Sequence, residues 1–318
     1  MLKNYKGTVL IAGGAGFIGS HLCDKFIDDY EVICVDNFIS GRAENIEHLF
    51  IKDNFTFLDL DVTKLELKYF IERFDKIDYI FHFASLPNLL GIINYPIETM
   101  LANSQGTFNL LNMAGYYESK FILASTSEIY GNPNIHPQNE DYWGNVNSIG
   151  IRSVYDESKR FAETITMNYF RQFGINVKIV RIFNTYGPRM ACDGRVVLNF
   201  IEQILSNKDI TIYGDGQQTR SFCYIDDLID GIYKLANSEL NFPVNLGNPE
   251  EISIKDLAIK ILNNIESRSK IVYNSLPLDD PNRRQPDITK AKSFLKWEPK
   301  INLNEGLQKM ITYYRENK

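Results

Sequence analysis

The first part of the sequence, to residue 184, alternates short apolar runs with amphipathic segments, and this pattern restricts the possible folds more than any other feature. The runs are rich in Val, Ile and Phe, as strands buried on both faces are, and they lie at 8–14, 31–37, 55–61, 78–85, 120–127 and 177–184. Helical patterns separate them at 17–29, 42–50, 63–74, 97–118 and 154–173. Strand–helix alternation predicts parallel βαβ units in a Rossmann-type, doubly wound α/β sheet.

The pattern changes after residue 184. Short predicted strands at 210–214, 243–247 and 270–274 alternate with predicted helices near 196–206, 226–237, 253–266 and 303–316. This predicts a smaller C-terminal α+β lobe over 185–318, beside a first domain over 1–184, with segments near 220–237 returning to the first domain. Because the sequence contains no low-complexity linker, we expect the two lobes to pack tightly around a cleft.

The charge and the scattered thiols and imidazoles exclude several classes of protein. A net charge of −6 argues against general binding to nucleic acid or to a membrane surface. No apolar run approaches the roughly 20 residues of a membrane span, and no leader precedes the first predicted strand, so a cytoplasmic location is expected. The cysteines form no CxxC pair and are expected to be buried and reduced: Cys23, Cys34, Cys192 and Cys223. The histidines lack metal-ligand spacing, so no metal site is predicted: His21, His48, His82 and His136.

A glycine-rich turn follows the first predicted strand and opens a helix. Gly13, Gly16 and Gly19 allow a tight turn and close approach of a dinucleotide diphosphate to the helix N-terminus, although tight strand–helix packing alone would also explain them. Asp36 ends the second strand, where a carboxylate accepts ribose hydroxyls and repels a 2′-phosphate. The sequence therefore predicts NAD rather than NADP, and Arg42 nearby weakens that discrimination only slightly. The predicted cofactor-binding set is Gly13, Gly16, Phe17, Ile18, Gly19, Asp36, Asn37, Asp61, Val62, Ala84, Ser125, Tyr155 and Lys159.

The stretch YDESKR places Tyr155 one helical turn before Lys159. Two other Tyr-x-x-x-Lys copies begin at Tyr116 and Tyr314, so the spacing alone also fits an ordinary pair of surface residues. Only the copy at Tyr155 follows a predicted strand that ends in hydroxyl and carboxyl groups, in the stretch ASTSEIYG. Since ligands bind beyond the carboxyl ends of parallel strands, we favour a catalytic pair in which the lysine and a positive nicotinamide ring stabilise a phenolate.

Further motifs extend this pattern through most of the chain, including GGAGFIGSHL, VDNFISGR, HPQNEDYWGNVNSIG, RIFNTYGPRM, DGRVVLNFI, QTRSFCYIDDL and DDPNRRQPDI. As a set they resemble the extended short-chain dehydrogenase/reductases that act on nucleotide sugars, the NAD-dependent epimerases and dehydratases. Within that superfamily they are most similar to the UDP-glucuronate decarboxylases, which form UDP-xylose. The resemblance implies an enzyme that oxidises the sugar at C4′ and recycles its NAD.

The resemblance also assigns roles to individual residues. It implies a catalytic set of Thr126, Ser127, Glu128, Tyr155, Lys159 and Arg284, with Ser127 where sugar 4,6-dehydratases carry an acid. It implies substrate contacts, favouring a UDP-sugar, from Asn184, Val197, Asn199, Tyr213, Arg220 and Arg284. It further implies a homodimer built on helices 97–118 and 154–173, the second exposing Phe161, Ile165, Tyr169 and Phe170. Packing of those apolar residues in the core of one chain is the alternative.

The loop over 86–101 departs from the decarboxylase pattern. Ile92 falls where an aromatic residue is expected beside the sugar, and Glu98 and Leu101 fall where lysines are expected. A more apolar and less basic wall suits a uronate carboxylate poorly. A C4′ epimerase or 4-dehydrogenase acting on a neutral nucleotide hexose or heptose is therefore the alternative enzyme, and a non-catalytic nucleotide-binding protein is the alternative from another class.

Overall fold

The structure of the chain, a computed structural model, describes residues 5–87, 89–275 and 283–317. Residues 279–282 of the motif DDPNRRQPDI and Lys318 of the third Tyr-x-x-x-Lys copy lie outside the described residues. The strands are β1 Thr8–Ala12, β2 Glu31–Asp36, β3 Phe55–Asp59, β4 Tyr79–His82, β5 Lys120–Thr126, β6 Val177–Ile182, β7 Thr185–Tyr186, β8 Ile210–Tyr213, β9 Thr219–Ser221, β10 Cys223–Tyr224, β11 Pro243–Leu246, β12 Glu251–Ser253, β13 Ile271–Asn274 and β14 Arg283–Arg284. The α-helices are α1 Phe17–Ile27, α2 Leu67–Ile71, α3 Leu89–Asn94, α4 Pro96–Asn103, α5 Gln105–Tyr117, α6 Ser153–Phe173, α7 Val196–Leu205, α8 Ile225–Ala236, α9 Ile254–Leu262, α10 Thr289–Leu295 and α11 Leu303–Glu316.

Seven parallel strands form the main sheet in the order β11-β6-β5-β4-β1-β2-β3. Alternate residues of β1 face opposite sides of it: Val9 and Ile11 join one apolar cluster, and Leu10 and Ala12 join another. Helices α1 and α8 contribute to the first cluster, and α2, α5 and α6 to the second. Because both faces are covered, the strands read as continuous apolar runs, and the predicted doubly wound fold is confirmed.

The strand order reverses between β1 and β4, which opens a crevice at the carboxyl ends of these two strands. Gly13 lies in this crevice with a φ of +82°, a conformation that side chains other than glycine rarely adopt. A Cβ atom at Gly13 would come within 2.5 Å of the backbone nitrogen of Ala84, which follows β4. The glycine therefore allows the two loops to pack together at this edge of the sheet.

Three predicted helices of the first domain are wrong in form. Segment 42–50 contains two 3-10 turns, Ala43–Asn45 and Glu47–Leu49, because the buried side chain of Asn45 is held by a hydrogen bond to the carbonyl of Ala15. Segment 63–74 contains a 3-10 turn and the short helix α2. Segment 97–118 is divided at Ser104, whose hydroxyl donates to the carbonyl of Met100 at 2.7 Å, a bond that competes with the helical pattern.

The C-terminal part of the chain adds small sheets and returns to the main sheet. Strands β9, β12 and β14 form one small sheet, and β8 and β13 form another. The strand predicted at 243–247 is β11, which pairs with β6 in the main sheet, so its assignment to the second lobe is wrong. One apolar cluster runs from Val9 in the sheet to Leu257 in α9. The division of the chain after residue 184 stays a prediction.

The exposure of the cysteines differs from the expectation at one position. Cys23, Cys34 and Cys223 are buried and free, whereas Cys192 is exposed, so the expectation of four buried thiols is wrong there.

Within the described part of the chain, no helix has the length and apolar character needed to span a membrane. The cytoplasmic location stays a prediction.

A buried asparagine fastens the segment that carries Arg284 to the main sheet. Asn245 in β11 donates from Nδ2 to the carbonyl oxygens of Gln138, at 3.0 Å, and of Asp287, at 3.1 Å. Its Oδ1 accepts a hydrogen bond from the hydroxyl of Tyr130 at 2.8 Å. One side chain therefore joins the sheet edge to two loops, one of which contains Asp287, three residues after Arg284.

Replacement of this asparagine is expected to destabilise the protein. Asn245→Ala removes one hydrogen-bond partner from each of two carbonyls and from a phenol, which we expect to lower the free energy of unfolding by about 3 kcal/mol. Urea denaturation measures this value. The control is Asn263→Ala at the exposed end of α9, where we expect a change within about 0.5 kcal/mol. Equal effects of the two substitutions would show that Asn245 does not carry this role.

Candidate active site

The hydroxyl, phenol and amine groups predicted to act together meet at the carboxyl end of β5. Tyr155 lies in the first turn of α6, is buried, and forms a side-chain hydrogen bond with Thr126, the last residue of β5. The Nζ atom of Lys159 lies 5.8 Å from the centre of the Tyr155 ring and donates to the carbonyl of Ala124 at 2.8 Å. The helix therefore presents the phenol and the amine to the same strand end.

Burial dominates the acid–base properties of this pair. It raises the pKa of Tyr155, and the hydrogen bond with Thr126 only partly opposes the rise. It lowers the pKa of Lys159 to about 7, and the carboxylate of Glu163 only partly opposes that shift. Burial therefore outweighs any effect of the lysine on the pKa of the phenol, and the stabilisation of a phenolate by the lysine and a nicotinamide ring together stays a prediction.

The carboxylate of Glu128 lies between two guanidinium groups. Its Oε1 pairs with Nη1 of Arg284 in β14, and its Oε2 accepts a hydrogen bond from Nη2 of Arg152 at 2.6 Å. Burial would raise the pKa of Glu128, but the two arginines outweigh it and lower the pKa to about 2. Glu128 is thus a fixed anion near neutral pH.

Arg152 is a partner that sequence reasoning missed. It immediately precedes α6, where the positive end of the helix dipole disfavours a cation. A basic residue at that place signals a nearby acid, and this signal was available before the structure. In the structure, that acid is Glu128. It follows β5 and lies more than twenty positions before Arg152 in the sequence.

All of the predicted cofactor residues line two adjoining cavities. The first, here the acidic cavity, has a volume of about 290 Å³. The predicted residues among its lining are Gly13, Gly16, Asp36, Asn37, Asp61, Val62 and Ala84. The second, here the tyrosine cavity, also measures about 290 Å³. Its lining includes Gly13, Gly16, Phe17, Ile18, Gly19, Ser125, Thr126, Ser127, Glu128, Tyr155 and Lys159. The glycine turn therefore lies between the two cavities and borders both of them.

Two acids of the acidic cavity already make hydrogen bonds within the chain. The Asp36 carboxylate accepts from the backbone nitrogens of Ala15, at 3.0 Å, and Phe38, at 2.9 Å, and burial raises its pKa despite these bonds. A carboxylate has about four acceptor positions, so Asp36 retains capacity for ribose hydroxyls. Asp61 uses Oδ1 to accept from the backbone nitrogen and the hydroxyl of Thr63. Only its other oxygen is left to reach a ligand.

The predicted substrate residues divide into two groups. Asn184 and Val197 line the tyrosine cavity. Asn199, Tyr213 and Arg220 are not among the described residues that line it. Arg220 lies in β9 in register with Arg284 of β14, and Tyr213 is exposed at the end of β8. The roles of these residues in substrate binding stay predictions.

The loop that departs from the decarboxylase pattern borders both cavities. Glu98 and Leu101, in or just after the first turn of α4, line the acidic cavity with Asp36, and Pro87 lines the tyrosine cavity. The side chain of Ile92 is buried. Helix α4 packs against α6, the helix that carries Tyr155. The expectation that this loop forms a wall beside the sugar stays a prediction.

Arginines supply positive charge to the tyrosine cavity that the sequence did not assign. Arg189 and Arg195 both line it, and they come from the motifs RIFNTYGPRM and DGRVVLNFI. Arg189 pairs with Asp24 at 2.7 Å, and Arg195 pairs with Asp193 at 2.9 Å.

Among the described residues, no group of three or more histidine, cysteine or acidic side chains is placed to hold a metal ion.

Comparison with known proteins places these features in a family. The family model described as GDP-mannose 4,6 dehydratase matches residues 10–310. UDP-glucuronic acid decarboxylase 1 of Danio rerio is 49% identical over 308 residues, which cover 96% of this chain and 72% of that protein. UDP-glucuronic acid decarboxylase 5 of Arabidopsis thaliana is 47% identical over 312 residues, which cover 96% of this chain and 89% of that protein.

Solved structures share the whole architecture. The UDP-glucose 4-epimerase of Thermotoga maritima, solved with UDP-glucose, has a TM-score of 0.90 at 29% identity and covers 98% of this chain and 99% of its own. The UDP-glucuronic acid 4-epimerase of Bacillus cereus, solved with UDP-glucuronic acid and NAD, has a TM-score of 0.86 at 30% identity. The match covers 98% of this chain and 100% of that protein. These proteins confirm the predicted fold class over nearly the full chain.

The ion pairs of Glu128 are expected to make stability depend on pH. The pKa of Glu128 is about 2 in the folded protein, against about 4.3 in an unfolded chain. The stabilisation by the carboxylate is therefore fully present above about pH 4.3 and is lost as the pH falls through about 2. Glu128→Gln should lower the free energy of unfolding by about 1–3 kcal/mol at pH 7, and by progressively less as the solution is acidified.

Urea denaturation at several pH values measures this difference. The control is Glu157→Gln in α6, whose carboxylate is partly exposed and pairs with Arg160 at 3.4 Å. That variant should change stability by no more than about 0.5 kcal/mol. A difference between wild type and Glu128→Gln that stays constant with pH would contradict the depressed pKa.

Proposed function

This chain belongs to the NAD-dependent epimerase/dehydratase family that the GDP-mannose 4,6 dehydratase model represents, and on that premise we propose that it is a UDP-glucuronate decarboxylase forming UDP-xylose. The observation that carries the proposal is its identity with UDP-glucuronic acid decarboxylases over nearly its whole length. The ionised state of Glu128, held between two arginines, also favours decarboxylation over dehydration.

The residues of the two connected cavities fit NAD. Gly13 and Gly16 leave room for a diphosphate at the N-terminus of α1, and a Cβ atom at Gly16 would meet only the carbonyl of Gly13, at 3.2 Å. Asp36 offers spare carboxylate lone pairs to a ribose. When bound, NAD supplies the acceptor for the C4′ hydride and returns that hydride later, so it is regenerated.

Tyr155 is the group that exchanges a proton with the C4′ oxygen. Its hydroxyl already forms a hydrogen bond with Thr126, which orients the phenol toward the end of β5. A raised pKa suits the return step, because a buried phenol that holds its proton is ready to donate it to the C4′ oxygen. Lys159, with a pKa of about 7, supplies partial positive charge one helical turn away.

The residues beside the strand end favour decarboxylation over dehydration. Dehydration would require an acid to protonate the departing C6′ hydroxyl, but Glu128 is ionised at neutral pH and Ser127 is a very weak acid. A C6′ carboxylate beside a C4′ ketone needs no such acid. The C5′–C6′ bond breaks, its electron pair passes to C5′ as the enolate of the ketone, and carbon dioxide leaves.

An epimerase is the second candidate, and a specific likeness supports it. The Bacillus cereus 4-epimerase has the same fold, and its solved complex contains UDP-glucuronic acid, the substrate proposed here. An epimerase shares the oxidation at C4′ but keeps the carboxylate and returns the hydride to the other face of the sugar. The two reactions are separated by the mass of the product.

The proposed activity is tested by mass spectrometry of the product formed from UDP-glucuronate with NAD. We expect a product lighter by one carbon dioxide, with the absorbance of NADH unchanged after many turnovers. Tyr155→Phe should slow its formation by about 10²- to 10⁴-fold, since acid–base groups contribute that much, while leaving NADH binding intact. NADH fluorescence measures the binding.

Tyr116→Phe is the matched control, because Tyr116 belongs to another Tyr-x-x-x-Lys copy and is exposed. It should retain the wild-type rate. If UDP-glucuronate returns with its mass unchanged, the decarboxylase proposal fails. Conversion of UDP-glucuronate to its 4-epimer, or of a neutral UDP-sugar, would then establish the second candidate.

We further propose a homodimer in which α5 and α6 of each chain pack together. Phe161 of α6 is 47% exposed and contacts Phe108 of α5, also exposed, with ring centres 6.5 Å apart. Ile165 is buried in the second apolar cluster, so the expectation that it faces outward is wrong. An exposed aromatic pair on two adjacent helices is a suitable centre for a two-fold interface.

The dimer is tested by sedimentation velocity. Wild type should sediment as a dimer, and Phe161→Glu should sediment as a monomer, because a carboxylate at the centre of an apolar interface would be buried without a partner. Ile51→Glu, at an exposed apolar position far from these helices in sequence, should remain dimeric. A monomeric wild type, or a dimeric Phe161→Glu, would refute the proposed interface.

A further inference from the structure

The proposed decarboxylation, on which this inference rests, consumes a proton that the Tyr155 group cannot supply. Tyr155 takes a proton from the C4′ hydroxyl and returns the same proton when the ketone is reduced, so its net contribution is zero. The enolate left after loss of carbon dioxide must gain a proton at C5′ in every turnover. Glu128 has no proton to give near neutral pH, because two arginines hold it ionised.

A third cavity lies on the other side of Glu128. This space, here the asparagine cavity, has a volume of about 280 Å³ and is polar. Its lining includes Glu128, Asn132, Asn145, Asn147, Arg152, Asp156 and Arg284. Because Glu128 also lines the tyrosine cavity, its carboxylate is common to both linings, with its ion-pair partner Arg284 on the side of the asparagine cavity. A volume of this size holds several water molecules, each needing about 30 Å³.

Asp156 is the buried acid of the asparagine cavity. It follows Tyr155 in α6 and is 5% exposed, and its Oδ1 has no hydrogen-bond partner among the described residues. Arg284, 3% exposed, likewise has no partner for Nε within that part of the chain. Two buried polar atoms on the lining of one polar cavity are satisfied by water within it.

The charges around Asp156 allow it to exchange protons near neutral pH. Burial and the Glu128 carboxylate raise the pKa of Asp156 to about 7, Arg152 and Arg284 lower it, and Glu157 on the same helix raises it slightly. The carboxylate of Asp156 in turn raises the pKa of the adjacent Tyr155 phenol. Two carboxyl groups on one cavity therefore have very different acidities, as the partners of a proton transfer require.

We propose that Asp156 relays a proton from solvent, through water in the asparagine cavity and past Glu128, to C5′ of the substrate in the tyrosine cavity. A water molecule beside Glu128 gives its proton to C5′ and takes one from Asp156. The electron pair of the broken C5′–C6′ bond forms the new C5′–H bond, and carbon dioxide is the leaving group. The Asp156 carboxylate then takes up a proton from solvent. Asp156 is a positioning residue, since it acts through water and has no contact with the substrate.

A purely structural role predicts a different result. A carboxylate in the first turn of α6 is stabilised by the helix dipole and by Arg152, so its removal could lower activity by disturbing Tyr155. Such a disturbance would slow the oxidation at C4′. Loss of the relay would leave oxidation intact and would slow only the steps that follow loss of carbon dioxide.

The test is a single-turnover reaction of UDP-glucuronate with the NAD-loaded enzyme, followed by NADH absorbance. Formation of NADH reports oxidation, and its decay reports the return of hydride after C5′ has been protonated. Asp156→Asn should form NADH at the wild-type rate, and its NADH should decay at least about 10-fold more slowly. In wild type, the decay should slow as the pH rises through about 7, where Asp156 loses its proton, and the variant should lack this dependence.

Two further variants serve as a control and as a substitute for Asp156→Asn. Asp141→Asn removes an exposed carboxylate that pairs with Lys290 at 2.8 Å, and it should behave as wild type in both phases. If Asp156→Asn does not fold, Asp156→Ser serves instead, with the same expected result and with formate, a small acid that fits the cavity, restoring the rate of NADH decay. Equal slowing of both phases, or slowing of neither, overturns the relay. A wild-type enzyme that releases no carbon dioxide refutes the proposed function itself and is recognised before any variant is compared.

Discussion

The reversal of strand order between β1 and β4 is the constraint on which the rest of the structure depends. Because every strand of the main sheet is parallel, the loops that follow β1, β2, β4 and β5 all emerge at one edge. The glycine turn, Asp36, Ala84 and the Thr126 strand end are thereby collected along a single crevice, although they are far apart in sequence. Helix α6 then needs only to begin beside β5 to bring Tyr155 to the same edge.

A partly buried carboxylate between two guanidinium groups has a second organising role. Glu128 follows β5, Arg152 precedes α6, and Arg284 lies in a small sheet of the C-terminal part of the chain. Their ion pairs thus join three separate elements at the point where two cavities meet. A carboxylate held in this way is a poor acid, which disfavours dehydration.

Burial without complete pairing sets the acidities of the neighbouring groups. Tyr155, Lys159 and Asp156 are all buried, and burial is the largest cause of the shift in the pKa of each. It raises the pKa of the acids and lowers that of the amine, so that Lys159 and Asp156 both titrate near pH 7. Glu128, less fully buried but paired with two arginines, has its pKa shifted in the opposite direction from those of the other acids. Groups that lie close together in the folded chain are therefore suited to opposite tasks at one pH.

The sequence by itself determined the six strands up to residue 184, the glycine turn and the Tyr155–Lys159 pair, because short apolar runs, φ-permissive glycines and a one-turn spacing are local properties of the chain. Only the tertiary structure decided that Arg152 pairs with Glu128, that Glu98 lines the acidic cavity, and that β11 completes the main sheet. Each of these depends on contacts between segments distant in sequence. Local periodicity carries no information about which distant segment a strand edge or a charged side chain will meet, so these features became visible only when the chain was folded.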